Sequence, residues 1–217
     1  WFAPFGDIRF FLNNTKYYFT TSLLNCLNLY ADIILISFLD SNFDAGIYKI
    51  ALLISSPWRY GNEIITNIFE PFFSKLNTYK STNESIPKIR ILRYRVNMIS
   101  FLNILSFICI LPFLRSLIVY IFDPQYLNAF YPSIIIILSY ILTTFIGPTD
   151  TILLYQKYGS KLTFNVSLFS LIFKFILNFA LIPVIGLYGA SISTSLSLIY
   201  QRYKFQQILK SKYKLVF

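Results

Sequence analysis

The sequence predicts an all-α membrane protein with six transmembrane helices, and three observations support this fold class. Of its 217 residues, 56% are hydrophobic and only 13% are charged, with a mean hydropathy of +0.59, whereas soluble domains have about 25% charged residues. The apolar residues form runs of the ~20 residues that a helix needs to cross a bilayer. Short alternating segments of about 10 residues, which are typical of a membrane β-barrel, are absent from the sequence.

Six apolar segments follow one another along the chain. The second contains Pro57, which we expect to kink the helix near the middle of the membrane. The third follows the one long polar segment, 75–95, where Pro87 and a Ser/Asn/Thr cluster predict an irregular loop. The fourth and fifth are separated by the polar stretch 156–161. The sixth carries small residues between Gly186 and Ser197 at a spacing that allows close helix packing. The predicted spans are residues 17–39, 46–74, 96–121, 127–155, 162–182 and 186–202.

The basic residues sort to one side of these six spans. The first residues, the segments 75–95 and 156–161 and the tail after 202 hold nearly all Lys and Arg that lie outside the spans. The segments on the other side, 40–45, 115–126 and 183–185, hold only Arg115, together with Asp40, Asp44 and Asp123. An excess of Lys and Arg marks the cytoplasmic side. We therefore predict a multi-pass protein with an even number of crossings and with both ends of the chain in the cytoplasm.

The chain divides into three predicted parts. Residues 1–16 form a cytoplasmic N-terminal end, residues 17–202 the six-helix transmembrane bundle, and residues 203–217 a basic cytoplasmic tail. Because the tail mixes Lys with aromatic and aliphatic residues, we expect it to lie along anionic headgroups. The first residue is Trp1 and the opening stretch does not have the pattern of a signal peptide. We therefore expect the sequence to be a fragment of a longer protein.

Composition excludes several classes of function. The chain has no His and two Cys, both within apolar runs, so the commonest general base and metal ligand is missing. We predict no catalytic residue, no metal and no cofactor. The net charge of +10 follows the membrane topology, whereas nucleic-acid binding requires a basic face on a soluble fold. We therefore predict no nucleic-acid partner.

Polar residues inside three of the predicted spans are spaced three, four or seven residues apart. That spacing places the polar residues of each span on one helix face. Three hydrophilic faces in a membrane bundle should converge on a common interior rather than face lipid. The faces consist of Thr21, Asn25, Asn28 and Asp32 in the first span, Arg59, Glu63 and Glu70 in the second, and Ser167, Ser170, Lys174 and Asn178 in the fifth.

The charges within the spans allow two interpretations. Asp32 and Lys49 lie at similar depth and can pair, and Glu63 is one turn from Arg59 and can neutralise it. In that case the charges are structural. Lys174 has no acidic partner on its own helix, so an anionic ligand can supply its counter-charge. Both interpretations stay open for the two pairs, whereas Lys174 favours a ligand.

Five stretches in order along the chain resemble the polysaccharide-transport (O-antigen and oligosaccharide flippase) branch of the multidrug/oligosaccharidyl-lipid/polysaccharide exporter superfamily. They cover nearly the whole chain and are similar to helices seven to twelve, the C-terminal half of a twelve-helix, two-lobe protein. Ser191 and Ser193 stand where the family pattern usually has alanine. The stretches are DSNFDAGIYKIA (40–51), FEPFFSKL (69–76), DPQYLNAFYPSIIIIL (123–138), TILLYQKYGSK (151–161) and LNFALIPVIGLYGASISTSLS (177–197).

The resemblance implies a transporter rather than an enzyme. It implies one lobe of a flippase that moves undecaprenyl-pyrophosphate-linked oligosaccharide, as for lipopolysaccharide O-antigen, across the bacterial inner membrane by alternating access. Its partners are then the lipid-linked substrate, membrane lipids, the missing N-terminal lobe of the same chain and the glycan polymerase machinery.

In that setting we expect three sets of site residues. Cations at depth need an anion, which a pyrophosphate supplies. Carboxylates in a low dielectric are candidates for ion or proton coupling. The sets are Lys49, Arg59 and Lys174 for the pyrophosphate, Asn25, Asn28 and Asn178 for the polar lining, and Asp32, Glu63 and Asp150 for coupling.

Other functions predict different features. A multidrug/cation antiporter of the same fold would have a carboxylate-dominated cavity with aromatic side chains. A flippase for peptidoglycan precursors would look almost the same in sequence. An integral-membrane glycan transferase would need a base near the headgroups, and without His only acidic residues remain. A membrane scaffold would not explain three hydrophilic faces.

Overall fold

The protein, in a computed structural model that describes residues 5–75, 82–156 and 159–213, consists of helices. No β-strand occurs in these ranges. A short 3₁₀ segment, Pro124–Ala129, precedes the fourth α-helix. The seven α-helices are α1 (Phe5–Leu39), α2 (Asn42–Lys75), α3 (Thr82–Phe122), α4 (Phe130–Ile146), α5 (Thr149–Leu154), α6 (Gly159–Ile185) and α7 (Leu187–Tyr213).

The all-α membrane class predicted from composition agrees with this structure. Four helical stretches of the described chain are long and apolar enough to cross a bilayer, and large apolar side chains such as Ile34, Phe113 and Phe169 lie exposed on their outer surfaces. The four are Thr15–Leu39, Arg93–Phe122, Pro124–Ile146 and Gly159–Ile185. Helices α2 and α7 are as long as some of these, but α2 carries several charges within its length and α7 is rich in serine.

The predicted fourth span, 127–155, is wrong as a single helix. Its apolar pattern continues without interruption, but α4 ends at Ile146 and α5 begins at Thr149. Gly147 has φ 89° and ψ −178°, a conformation that is essentially restricted to glycine. Pro148 also disfavours a helical conformation at the residue before it. The Gly-Pro pair therefore breaks the helix.

The predicted irregular loop 75–95 is wrong from Thr82 onwards. Helix α3 begins at Thr82 and runs through Pro87 into the apolar stretch Arg93–Phe122. Lys, Arg and Leu are good helix formers, so the polarity of 82–95 marks a helix that extends beyond the apolar core. The basic residues of this segment up to position 92 lie outside the described side chains.

Helix α7 continues past the predicted boundary at 202 to Tyr213. Phe205 and Leu209 are buried there, so the first part of the predicted tail packs within the bundle. Helix α6 likewise runs through the predicted connection 183–185 to Ile185. Residues 214–217 of the predicted tail lie outside the described residues, as do residues 1–4 at the other end.

Two tight turns define one end of the bundle. Asp40 and Ser41 connect α1 to α2, and Gly186, with φ 54°, connects α6 to α7. The two turns meet, because a Cβ atom on Gly186 would lie 3.0 Å from Asp40 Oδ2. We call this end the Asp40 end and the opposite end the Arg202 end. Near the Asp40 end an apolar core fills the bundle, with Ile36, Ile47, Ile136, Ile182 and Leu187 among its members.

Candidate functional site

A polar cavity of about 480 Å³ lies on the Arg202 side of the apolar core. Helices α1, α2, α4, α5, α6 and α7 all contribute side chains to it, so the hydrophilic faces do converge. All four residues of the polar face predicted for α1 line this cavity. The polar and charged lining includes Thr21, Asn25, Asn28, Asp32, Arg59, Asn62, Glu63, Tyr140, Thr143, Asp150, Ser167, Lys174, Thr194, Gln201 and Arg202.

Asp32 and Lys174 form a buried ion pair at the inner limit of this cavity. Lys174 Nζ lies 2.6 Å from Asp32 Oδ2, and the two side chains are only 2% and 1% exposed. The same ammonium donates to the carbonyl oxygen of Asn28 at 2.5 Å. A buried charge is tolerated when it is paired and hydrogen-bonded, and both conditions are met here.

Three neutral donors complete the environment of the Asp32 carboxylate. Tyr48 Oη donates to Oδ2 at 3.1 Å, Thr194 Oγ1 donates to the same oxygen at 2.7 Å, and Asn178 Nδ2 donates to Oδ1 at 2.7 Å. Each comes from a different helix. The carboxylate therefore joins α1 to α2, α6 and α7.

The predicted pairing of Asp32 with Lys49 is wrong. Lys49 is exposed and lies outside the cavity. Its neighbour Tyr48 is the residue of α2 that reaches Asp32, and successive helix residues point about 100° apart. The acidic partner that Lys174 lacks on its own helix is Asp32 on α1.

The predicted pair of Arg59 and Glu63 is present but loose. Arg59 Nε lies 3.8 Å from Glu63 Oε1, and the side chains are 28% and 57% exposed. Among the described residues Arg59 Nε has no hydrogen-bond partner, although it is buried. The guanidinium carbon lies 4.8 Å from the ring centroid of Tyr60. Arg59 therefore has at least one guanidinium donor, Nε, that no described residue binds.

A third ion pair joins α5 to α7. Arg202 Nη1 contacts Asp150 Oδ1, and both side chains line the cavity. Asp150 was predicted as a coupling residue, whereas Arg202 was assigned only to the cytoplasmic end of a helix. Glu70, the third charge of the predicted α2 face, accepts a hydrogen bond from Tyr155 Oη at 2.5 Å and is not part of the lining.

The structure adds a polar contact between α2 and α4 that the sequence analysis did not identify. Asn62 Nδ2 donates to the carbonyl oxygen of Tyr140 at 3.2 Å and to Thr143 Oγ1 at 3.4 Å, and Thr144 Oγ1 donates to Asn62 Oδ1. Asn62 and Thr66 continue the face of Arg59 and Glu63 at helical spacing. That spacing was the signal that could have found them.

The other predicted lining residues fall into two groups. Asn25 and Asn28 face the cavity, whereas Asn178 lies fully buried behind Asp32, and its Oδ1 atom has no partner among the described residues. Ser170 binds Ser197 at 2.9 Å in the contact between α6 and α7. The lining thus has three cations and three carboxylates among its described members, and each cation has a carboxylate partner.

Comparison of the chain with models of protein families, with curated proteins and with solved structures finds no match. In the described part of the chain no three His, Cys, Asp or Glu side chains come together in a way that could hold a metal ion. The arrangement itself therefore has to indicate the function: a polar, charge-balanced cavity inside a bundle with an apolar exterior.

Proposed function

We propose that the chain is one lobe of a transporter that moves a polar, anionic solute across a membrane, and that the solute is the headgroup of a pyrophosphate-linked oligosaccharide lipid. The observation that carries the proposal is the cavity of about 480 Å³ with its six charged side chains. Charges at membrane depth are costly unless they are paired or face a wet cavity. A bundle that retains so many of them around an open space is typical of a solute pathway.

The chemistry of the lining suits a sugar phosphate. The amide groups of Asn25 and Asn28, which face the cavity, can bind sugar hydroxyl groups, because each amide offers both donors and an acceptor. Arg59 offers guanidinium donors, which match phosphate oxygens in pairs. The resemblance to oligosaccharide flippases supplies the specific substrate class in this proposal.

The same proposal includes the full topology. Helices α2 and α7 cross the membrane together with the four apolar stretches, because their polar residues face the cavity. The six crossings form one lobe of a twelve-helix protein in the bacterial inner membrane. Both chain ends, and hence the Arg202 end of the cavity, are cytoplasmic by the distribution of Lys and Arg. Two such lobes would rock about a central cavity.

The proposal predicts that Arg59→Ala, made in the complete protein in its own cell, abolishes surface polysaccharide while the protein stays at its normal level in the membrane. The guanidinium is the partly exposed cation of α2 in the cavity, and its loss removes the donors for the phosphate. Surface polysaccharide is measured by gel electrophoresis of extracted glycan, and protein level by immunoblot of membranes.

Arg115→Ala is the matched control. Arg115 is an exposed arginine near the end of α3 and does not line the cavity, so surface polysaccharide should stay unchanged. Equal amounts of polysaccharide in the Arg59→Ala strain and the wild type would contradict the proposed role.

A cation antiporter of similar architecture is the second candidate, because Tyr18, Tyr140 and three carboxylates also line the cavity. Aromatic faces and carboxylates bind organic cations. An antiporter would make cells resistant to cationic drugs, and Glu63→Gln would abolish that resistance. A flippase would instead show the loss of surface polysaccharide in the Arg59→Ala strain.

A further inference from the structure

The three ion pairs of the cavity differ in how much of each cation is available to a ligand. Lys174 is the most enclosed, since its side chain is 2% exposed and its ammonium already contacts Asp32 Oδ2 at 2.6 Å and the Asn28 carbonyl oxygen at 2.5 Å. An ammonium has three donors, so two are occupied. Because the side chain is almost fully enclosed, its third donor has little access to a ligand, and a pyrophosphate would bind the ammonium closely only after the buried pair had separated.

Separation of that pair would leave Asp32 as a buried carboxylate with only neutral donors. Tyr48, Thr194 and Asn178 bind both of its oxygens, but none of them carries a positive charge. Removing one partner of a buried ion pair is strongly destabilising. The geometry therefore commits Lys174 to Asp32.

The two arginines are held differently. Arg59 Nε is 3.8 Å from Glu63, which is too long for a hydrogen bond, and this nitrogen has no partner among the described residues. Arg202 contacts Asp150 through one terminal nitrogen, and its side chain is 21% exposed. A guanidinium has five donors in a planar fork, so both arginines keep donors for a second anion. A planar fork also matches phosphate oxygens better than a lysine does.

Arg202 lies where an anion from the Arg202 end would arrive first. It follows Thr194 on α7 by eight residues, about 12 Å along the helix at ~1.5 Å per residue, and Thr194 marks the level of Asp32 and Lys174. Asp150 places the short helix α5 beside it. At its closed limit the cavity therefore has Lys174, which is bound to Asp32. Towards its other end it has Arg202, which keeps unused donors.

We propose that Arg59 and Arg202 are the side chains that bind the pyrophosphate, and that Lys174 is a positioning residue that neutralises Asp32. The inference rests on the proposed function for its biological meaning, but it assigns roles that differ from those expected from the sequence. Lys174 is removed from the ligand set and Arg202 enters it.

The test is the binding of inorganic pyrophosphate to the complete protein purified in detergent, measured by titration calorimetry. Arg202→Gln should weaken binding by at least about tenfold, because it removes charge-assisted hydrogen bonds. Asp150→Asn combined with Arg202→Gln should not restore it. Arg202→Lys, which keeps the charge and loses the fork, should retain part of the affinity.

The buried pair should behave in the opposite way. Lys174→Met alone should impair folding or transport, because it leaves Asp32 unpaired. Asp32→Asn combined with Lys174→Met removes both charges and should restore pyrophosphate affinity to within about threefold of wild type. Asp32→Asn with Lys174→Gln is a second neutral pair if the first folds poorly.

Each outcome decides the inference. Pyrophosphate affinity that is lost in both neutral pairs of a folded protein would return Lys174 to the ligand set, and unchanged affinity of Arg202→Gln would remove Arg202. A wild-type protein that binds no pyrophosphate would overturn the inference as a whole. Transport of lipid-linked oligosaccharide in reconstituted vesicles is measured separately, so its absence with the expected pattern of pyrophosphate binding would refute only the proposed function.

Discussion

Asp32 is a carboxylate that receives an ammonium and three neutral donors from three other helices. Spacing along each helix predicted correctly that Asn25, Asn28 and Asp32 share a face, because helix periodicity fixes which residues point together. It could not predict that Asp32 meets Lys174 rather than Lys49. That choice depends on how helices rotate and pack against one another, and one sequence carries no direct signal for it.

At the same scale, we predict that Lys174→Met lowers the free energy of unfolding by about 3 kcal/mol, because breaking one side of a buried pair leaves a charge without compensation. Unfolding in detergent, followed by circular dichroism against denaturant, measures the change. Ser170→Ala, one turn away on α6, removes a hydrogen bond between neutral hydroxyls and should cost only about 0.6 kcal/mol. A Lys174→Met effect no larger than that of Ser170→Ala would show that the pair does not stabilise the bundle.

The elements show where composition misleads. Residues 82–95 are polar and helical, and residues 127–155 are apolar and broken, because polarity reports surroundings and not backbone conformation. The Gly147-Pro148 dipeptide was the local signal of the break. The break allows α5 to bring Asp150 to Arg202, so it helps to form one end of the cavity.

For this element we predict that Gly147→Ala lowers the free energy of unfolding by about 1–3 kcal/mol, because a side chain at φ 89° and ψ −178° is strained. Gly46→Ala is the control. Gly46 lies in α2, and an added Cβ atom would meet nothing within 4 Å, so the substitution should be neutral or stabilising by up to ~1 kcal/mol. Denaturation in detergent measures both variants. Equal stability of the two variants would contradict the backbone strain.

At the scale of the whole molecule, the apolar core and the polar cavity divide the bundle into a closed half and an open half. Ile36, Ile47 and Ile182 are almost completely buried towards the Asp40 end, whereas Asn25 is exposed on the cavity side of Asp32. The cavity is therefore open towards the Arg202 end and closed towards the Asp40 end in this conformation. In the proposed topology, the Arg202 end faces the cytoplasm.

This asymmetry predicts one-sided chemical labelling. In a Cys26→Ser, Cys109→Ser background, which removes the two exposed native thiols, Asn25→Cys should react with a membrane-impermeant maleimide in inside-out vesicles and not in right-side-out vesicles. Ala51→Cys is the matched control, because Ala51 is 0% exposed within the apolar core and should react in neither. Labelling of Asn25→Cys only in right-side-out vesicles would show that the topology is opposite to the proposed one. Equal labelling in both kinds of vesicle would show that the apolar core does not close the pathway. Inorganic pyrophosphate should protect Asn25→Cys from the maleimide. If the added substitution Arg202→Gln removes this protection, the bound anion that blocks the cavity depends on Arg202.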